Sequence, residues 1–141
     1  PNPDSDKGHH QFTYSLYAHE GGVNDSDAVA LAYDLNNPMY AQKIEKNEEG
    51  VLPESYSLIS CSAKNFVVET VKQAENENGI VVRGYECNNK RAAVTLQCGF
   101  PVKKAYVCNL MEEKETQIPV KDNQISFTVN PFEIYSIYIE V

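Results

Sequence analysis

The chain has 141 residues, with 20 Asp and Glu against 12 Lys and Arg, giving a net charge of −8. That length suits one compact domain or two small ones. Scattered basic residues outnumbered by acids argue against nucleic acid or another polyphosphate partner, which binds through clustered Lys and Arg. With 42% apolar and 23% charged residues the chain reads as globular rather than disordered, and no apolar run approaches the roughly 20 residues of a membrane helix.

Nothing near Pro1 resembles a signal peptide, and the start Pro1-Asn2-Pro3, without an initiator Met, suggests a piece of a longer polypeptide. Residues 1–9 hold Pro1, Pro3, Gly8 and the turn formers Asn2, Asp4 and Asp6, and are expected to form a loop. From His10 the pattern alternates. His10, Phe12, Tyr14, Leu16 and Ala18 fall on one face and Gln11, Thr13, Ser15 and Tyr17 on the other, the period of a strand. Gly21-Gly22 ends it. Asn24-Asp25-Ser26-Asp27 supplies helix caps, and Ala28 to Leu35 forms the one predicted helix, stopped by Pro38. Met39 to Lys46 follows as a short strand or extended connector, and Asn47 to Gly50 as a turn.

Beyond residue 50 strand-like runs recur between turn signals, at the spacing of a sandwich. They are Tyr56 to Ser62, Phe66 to Gln73, Gly79 to Glu86, Ala92 to Gly99, Lys104 to Leu110, Gln117 to Val120, Gln124 to Val129 and Ile134 to Val141. Asn78-Gly79 carries the strongest hairpin signal, since a type I′ turn needs two positive φ angles. Val94, Leu96 and Cys98 oppose Thr95 and Gln97, and Ile125, Phe127 and Val129 oppose Ser126 and Thr128, as in sheets with one dry face. The expected fold is mainly β: an antiparallel β-sandwich with one short helix in the N-terminal third. Tyr85, Tyr106, Tyr135 and Tyr138 lie on these strands, where a ring is buried while its hydroxyl finds a polar partner.

Motifs of chemistry are scarce. The sequence contains no Gly-x-Ser-x-Gly elbow and no phosphate-cradling loop, since Gly21-Gly22 lacks the further Gly and the Lys-Ser/Thr. Cys61, Cys87, Cys98 and Cys108 are separated by 26, 11 and 10 positions, too far apart for a zinc ribbon or redox pair. They read as buried reduced thiols of a cytosolic protein. His9, His10 and His19 lie near Asp4, Asp6 and Glu20, but His10 and His19 have opposite strand parity and cannot share an ion without a bend. No pair among the 20 acids stands out as glycosidic acid and nucleophile.

Resemblance carries the reading further. The run Pro3-Asp4-Ser5-Asp6-Lys7-Gly8-His9-His10-Gln11-Phe12-Thr13-Tyr14-Ser15-Leu16-Tyr17-Ala18-His19 resembles a segment of the glycoside hydrolase family 38 α-mannosidases, in the branch with bacterial and cytosolic or vacuolar enzymes. Similar stretches follow in the family's order: Ala32-Tyr33-Asp34-Leu35-Asn36-Asn37-Pro38, Leu52-Pro53-Glu54-Ser55-Tyr56-Ser57-Leu58, Ile80-Val81-Val82-Arg83-Gly84-Tyr85-Glu86 and Pro131-Phe132-Glu133-Ile134-Tyr135-Ser136. Gly84, where a larger residue is usual, and Ala18, where Pro is frequent, are the departures.

The resemblance implies the C-terminal part of a retaining α-mannosidase that removes α-linked mannose from oligosaccharides with a zinc ion and a carboxylate nucleophile, both carried by an upstream catalytic region. No catalytic residue and no metal ligand is expected in this segment, and this chain alone is expected to be inactive. It also implies a cytoplasmic location. Residues 1–24 would be a loop and strand of the preceding β-rich domain, 25–50 a helix and connector, and 51–141 the sandwich. Asp4, Asp6 and His10 are candidates for the rim of the substrate pocket. Expected partners are the catalytic and central β domains of the same chain and, through them, a mannose oligosaccharide. No nucleic acid or membrane partner is expected. The orphaned strand also offers a pairing edge to a second copy. The alternatives are a free-standing carbohydrate-binding or adhesion sandwich with an exposed aromatic platform, and an independent hydrolase built on the N-terminal His and Asp residues.

Overall fold

The computed structural model describes residues 3–76 and 78–141, so what was expected of Pro1, Asn2 and Glu77 lies outside the described residues. Among the described residues nine strands form two antiparallel sheets. In chain order they are β1 (Ile59–Cys61), β2 (Phe66–Gln73), β3 (Ile80–Glu86), β4 (Ala92–Cys98), β5 (Lys104–Cys108), β6 (Lys114–Ile118), β7 (Val120–Lys121), β8 (Gln124–Val129) and β9 (Ile134–Glu140). One sheet has the order β1-β4-β8-β7 and the other β2-β3-β9-β5-β6. The expected β-sandwich is the observed one. Among the described residues no helix is long and apolar enough to cross a membrane.

Alternation decides which side of the smaller sheet is dry. Val94, Leu96, Cys98, Ile125 and Val129 are buried, and the register sets Val94 beside Phe127 and Leu96 beside Ile125. The larger sheet answers with Phe66, Val82, Ala105, Ile137 and Ile139, each large apolar side chain stabilising the fold by roughly 1.5–3 kcal/mol. Across the gap Phe127 stacks on Tyr135 at 4.5 Å and meets Phe66 edge-on at 5.5 Å.

Several local expectations need correction. The Gln117 to Val120 strand is two strands, β6 and β7, in different sheets. They part at Pro119, which has no N–H to donate to a ladder, and the chain changes sheet there. Asn78-Gly79 lies in the expected hairpin, between the antiparallel β2 and β3, but does not form the type I′ pair, because Gly79 is not in the left-handed region. Ala74 N–H donates to the Gly79 carbonyl, closing a longer loop, and Gly79 is needed because a Cβ would strike the Tyr138 ring at 2.5 Å. The two adjacent left-handed residues are instead Asp122 (φ 51°) and Asn123 (φ 59°), between the paired Lys121 and Gln124. Tyr56 to Ser62 contracts to Ile59–Cys61. His10 to Ala18 has no ladder partner and is not a strand in this chain, nor is Met39 to Lys46.

The helix, α1 (Ala28–Asn36), follows a single 3-10 turn at Val23–Asp25. Ser26 Oγ accepts the Ala28 N–H, while the Asn36 and Asn37 side-chain amides donate to the carbonyls of Ala32 and Tyr33. Side chains thus satisfy backbone groups at both helix ends.

The crossings between sheets are fixed by two polar residues. Glu86, at the end of β3, is 0% exposed. Its Oε1 accepts from the Asn65 amide at 2.9 Å and the Asn88 N–H at 2.8 Å, and its Oε2 from the Phe132 N–H at 2.9 Å. One carboxylate therefore ties the β1–β2, β3–β4 and β8–β9 connections. At the opposite end Asn123 accepts the Val102 N–H on Oδ1 and the Cys98 N–H on its carbonyl.

Burial pushes the Glu86 carboxyl up, but hydrogen bonds from the N–H groups of Phe132 and Asn88, the Asn65 side chain and the Lys90 backbone outweigh it and hold the group below the ordinary carboxylate range. A folded-state pKa below the unfolded one stabilises the fold above the unfolded value, and that stability is lost as pH falls through the folded value. In urea denaturation across pH, Glu86→Gln is expected to cost about 1–3 kcal/mol at pH 7, with the gap to wild type narrowing below pH ~4.3. A gap that stays constant down to acid pH would refute the charge's role. A Cβ on Gly84 would lie 2.5 Å from Phe66 Cε1, so the Phe66 ring fills the place of the larger residue expected there. Gly84→Ala is accordingly expected to lower stability by roughly 1–3 kcal/mol in the same assay.

Candidate functional site

The three rim candidates lie together in one exposed turn. Lys7 N–H donates to the Asp4 carbonyl at 3.3 Å, and the Lys7 ammonium pairs with the Asp4 carboxylate. His10 Nε2–H donates to the Asp6 carbonyl at 3.2 Å. Asp4, Asp6 and His10 are all exposed. The His10 ring meets the Asp6 main chain, not its carboxylate. Among the described residues no group of three or more His, Cys, Asp or Glu is placed to hold a metal ion, so this donor set does not fit a zinc site.

Downstream of that turn the side chains expected on the apolar strand face meet solvent. Phe12 is 80% and Leu16 96% exposed, and Met39, Tyr40, Ile44 and Val51 are exposed as well. Tyr17 stacks on His19 at 5.3 Å and, with Ser15, borders a small cleft against Leu31 and Leu35 of α1.

Three polar contacts bring this region to the sandwich. Asp25 accepts from the Lys90 ammonium at 2.5 Å, and Tyr33 of α1 meets Tyr85 of β3, hydroxyl to hydroxyl, at 3.2 Å. Tyr33 Oη–H also reaches Glu69 Oε1 at 3.5 Å. The Tyr85 hydroxyl, then burial, then Glu69 push the Tyr33 phenol up to about 12, so it stays neutral across the physiological range. Val29, Ala32, Tyr33, Asn36 and Tyr85 line a cleft of about 360 Å³ there. The sequence places Tyr85 on a strand with its hydroxyl toward water or a backbone carbonyl; the observed partner is a side-chain hydroxyl. That its partner would be Tyr33, 52 positions away, had no local signal.

The four thiols are unpaired with one another, and burial raises Cys98 and Cys108 above the usual thiol range, the character of inert core cysteines. Among the described residues the outer face of the smaller sheet carries Thr95, Gln97, Gln124, Ser126 and Thr128 and no aromatic ring.

Residues 65–137 match the family described as "Glycosyl hydrolases family 38 C-terminal beta sandwich domain". Among curated proteins, the chain is 32% identical over 144 residues to "Alpha-mannosidase 2C1" of Homo sapiens, covering 99% of this chain and 14% of that protein. It is 31% identical over 145 residues to the Mus musculus protein of the same name, again across 99% of this chain and 14% of the relative. To "Alpha-mannosidase G" of Dictyostelium discoideum it is 28% identical over 137 residues, across 95% of this chain and 13% of the relative. The chain thus spans about a seventh of the length of these relatives.

Tyr85→Phe removes the main polar contact between α1 and the sandwich. Hydrogen exchange is expected to quicken across 28–36 while the protection of β3 and β9 is unchanged. Unchanged exchange in the helix would mean that something other than the tyrosine pair holds it.

Proposed function

The chain belongs to the glycosyl hydrolase family 38 C-terminal β-sandwich domain family, and from that membership we propose that it is the C-terminal scaffold of a retaining, zinc-dependent α-mannosidase acting on terminal α-linked mannose of oligosaccharides. The supporting observation is the run of exposed apolar side chains from Phe12 to Leu52, in a chain matching 14% of its α-mannosidase relatives. Apolar surface of that kind marks an interface. The partner in this reading is the catalytic and central β-rich polypeptide of the same enzyme.

Zinc, supplied upstream, would act as Lewis acid and template, and the carboxylate nucleophile would come from the same region. This chain contributes position. The turn from Asp4 to His10 would stand at the pocket rim, with Asp4 and Asp6 carboxylates and the His10 ring offering hydrogen bonds to sugar hydroxyls. Four unpaired thiols fit a reducing cytoplasm.

With a chromogenic α-mannoside this chain alone is expected to release no chromophore, whereas the longer polypeptide does so and loses activity to a chelator. Turnover by the chain alone would overturn the proposal. In the longer enzyme Asp6→Ala and His10→Ala are expected to raise KM about 3–10-fold with kcat within about twofold, the pattern of lost substrate binding. Unchanged KM would remove these residues from the rim.

A further inference from the structure

The two outer faces of the sandwich differ in chemistry. On the smaller sheet the outward residues satisfy one another. Thr95 Oγ1 and Ser126 Oγ are 2.9 Å apart, and the Gln124 amide donates to Gln97 Oε1 at 2.8 Å. Such a surface suits water. The larger sheet is apolar on its outer face too, where Val81, Tyr138 and Cys108 form a second buried cluster. Three clefts open on this face. The first is the 360 Å³ cleft between α1 and Tyr85, the second about 290 Å³ beside Cys108, Leu110, Ile134 and Ser136, and the third about 220 Å³ between Tyr138, Ala74 and Met111. Leu110 is 65% and Ile134 62% exposed at their margins.

Arg83 stands in the middle of this face, paired in register with Ser136. Its Nε–H donates to Ser136 Oγ at 2.8 Å. Among the described residues no carboxylate forms an ion pair with its guanidinium, although the chain holds 20 acids. Acids near it are already engaged. Glu112 accepts from the Lys72 ammonium at 2.6 Å and the Glu75 N–H at 2.8 Å, and Glu69 from Tyr33. A half-buried guanidinium whose terminal nitrogens have no carboxylate matches an incoming acid in bidentate geometry.

We propose that the outer face of the larger sheet is where the rest of the α-mannosidase polypeptide docks, setting an Asp or Glu against Arg83 and apolar side chains into the clefts beside Ile134 and Met111. The inference rests on the scaffold reading above and adds to it the face and the pairing residue. Three observations choose the occupant: the Arg83 guanidinium, which no described carboxylate meets at ion-pair distance and which acts on Glu112 only through space, the length of the relatives outside the matched region, and α1. The helix sits on this same face at Tyr85 and leads back to the exposed apolar segment.

Hydroxyl-radical footprinting compares this chain alone with the longer enzyme. Labelling of Leu110, Met111 and Ile134 is expected to fall about fivefold in the longer enzyme, as contact excludes water from an interface centre. Equal labelling in both would overturn the proposal. Variants of the longer enzyme give a second readout, limited proteolysis releasing the sandwich. Arg83→Gln and Ile134→Asp are expected to speed release about tenfold, while Ser126→Glu and Thr128→Glu, on the polar face, change it less than about twofold. Faster release from the polar-face variants would assign docking to the other sheet. The scaffold reading has its own test. If the longer enzyme stays active and intact when this chain is deleted, that reading fails whatever the footprint shows.

Discussion

Glu86 is a charged group sealed from water, and the crossings of the sandwich depend on it. A carboxylate taken out of water without partners costs several kcal/mol, so it persists only where the backbone brings donors to it. Here those donors come from Asn65, Asn88 and Phe132, residues on three connections that each pass from one sheet to the other. Phe132 holds φ at 57°, a left-handed conformation that a bulky residue rarely adopts. It does so in the loop whose N–H completes the cage. The hydrogen bonds and the strained turn depend on each other, and with them the alignment of β2, β3 and β9 at that end.

Asn123 serves the opposite end differently. It is neutral, lies in the left-handed region, and holds the β4–β5 connection through one side-chain and one main-chain acceptor. Between the two ends the layers are joined by packing alone, Phe127 against Phe66 and Tyr135. The larger sheet then carries more burial than a two-layer sandwich requires, because Val81 and Val82, neighbours of opposite parity, are both buried. On the outer side Val81 is covered from within the chain, by Ala74, Cys108, Tyr138 and Tyr106.

Periodicity revealed those strands whose two faces differ. The bounds expected for Phe66 to Gln73 and Gln124 to Val129 are the observed ones, and the turned-out Thr and Ser residues mark the wet side of β8. What failed was long-range. Asn78-Gly79 has the composition of a tight turn, but the nearness of Tyr138 determines why Gly79 must be Gly. Pro119 stood inside an expected strand and was the sign that the strand breaks there. Glu86 shares the parity of Val82 and Gly84 on β3, so an acid on the dry side was visible. Its donors, 21 and 46 positions away, were not. Asp4, Asp6 and His10 came from resemblance, and their local geometry is that of a self-contained exposed turn.

The chain therefore has two parts of unequal autonomy. The sandwich has a core, two fixed ends and satisfied crossings. The segment before it touches the sandwich through the exposed Lys90–Asp25 pair and through Tyr33, which meets Tyr85 and Glu69. Surface ion pairs contribute little, and one hydroxyl pair cannot hold about fifty residues in register. A rim loop that orients a sugar must be placed within about 0.5 Å, an accuracy these contacts do not provide. If the turn at Asp4 to His10 takes part in recognition, its position has to be imposed by a surface that buries Phe12, Tyr14 and Leu16. The apolar run and the rim then form one device, in which docking of the segment is what sets the polar groups in place.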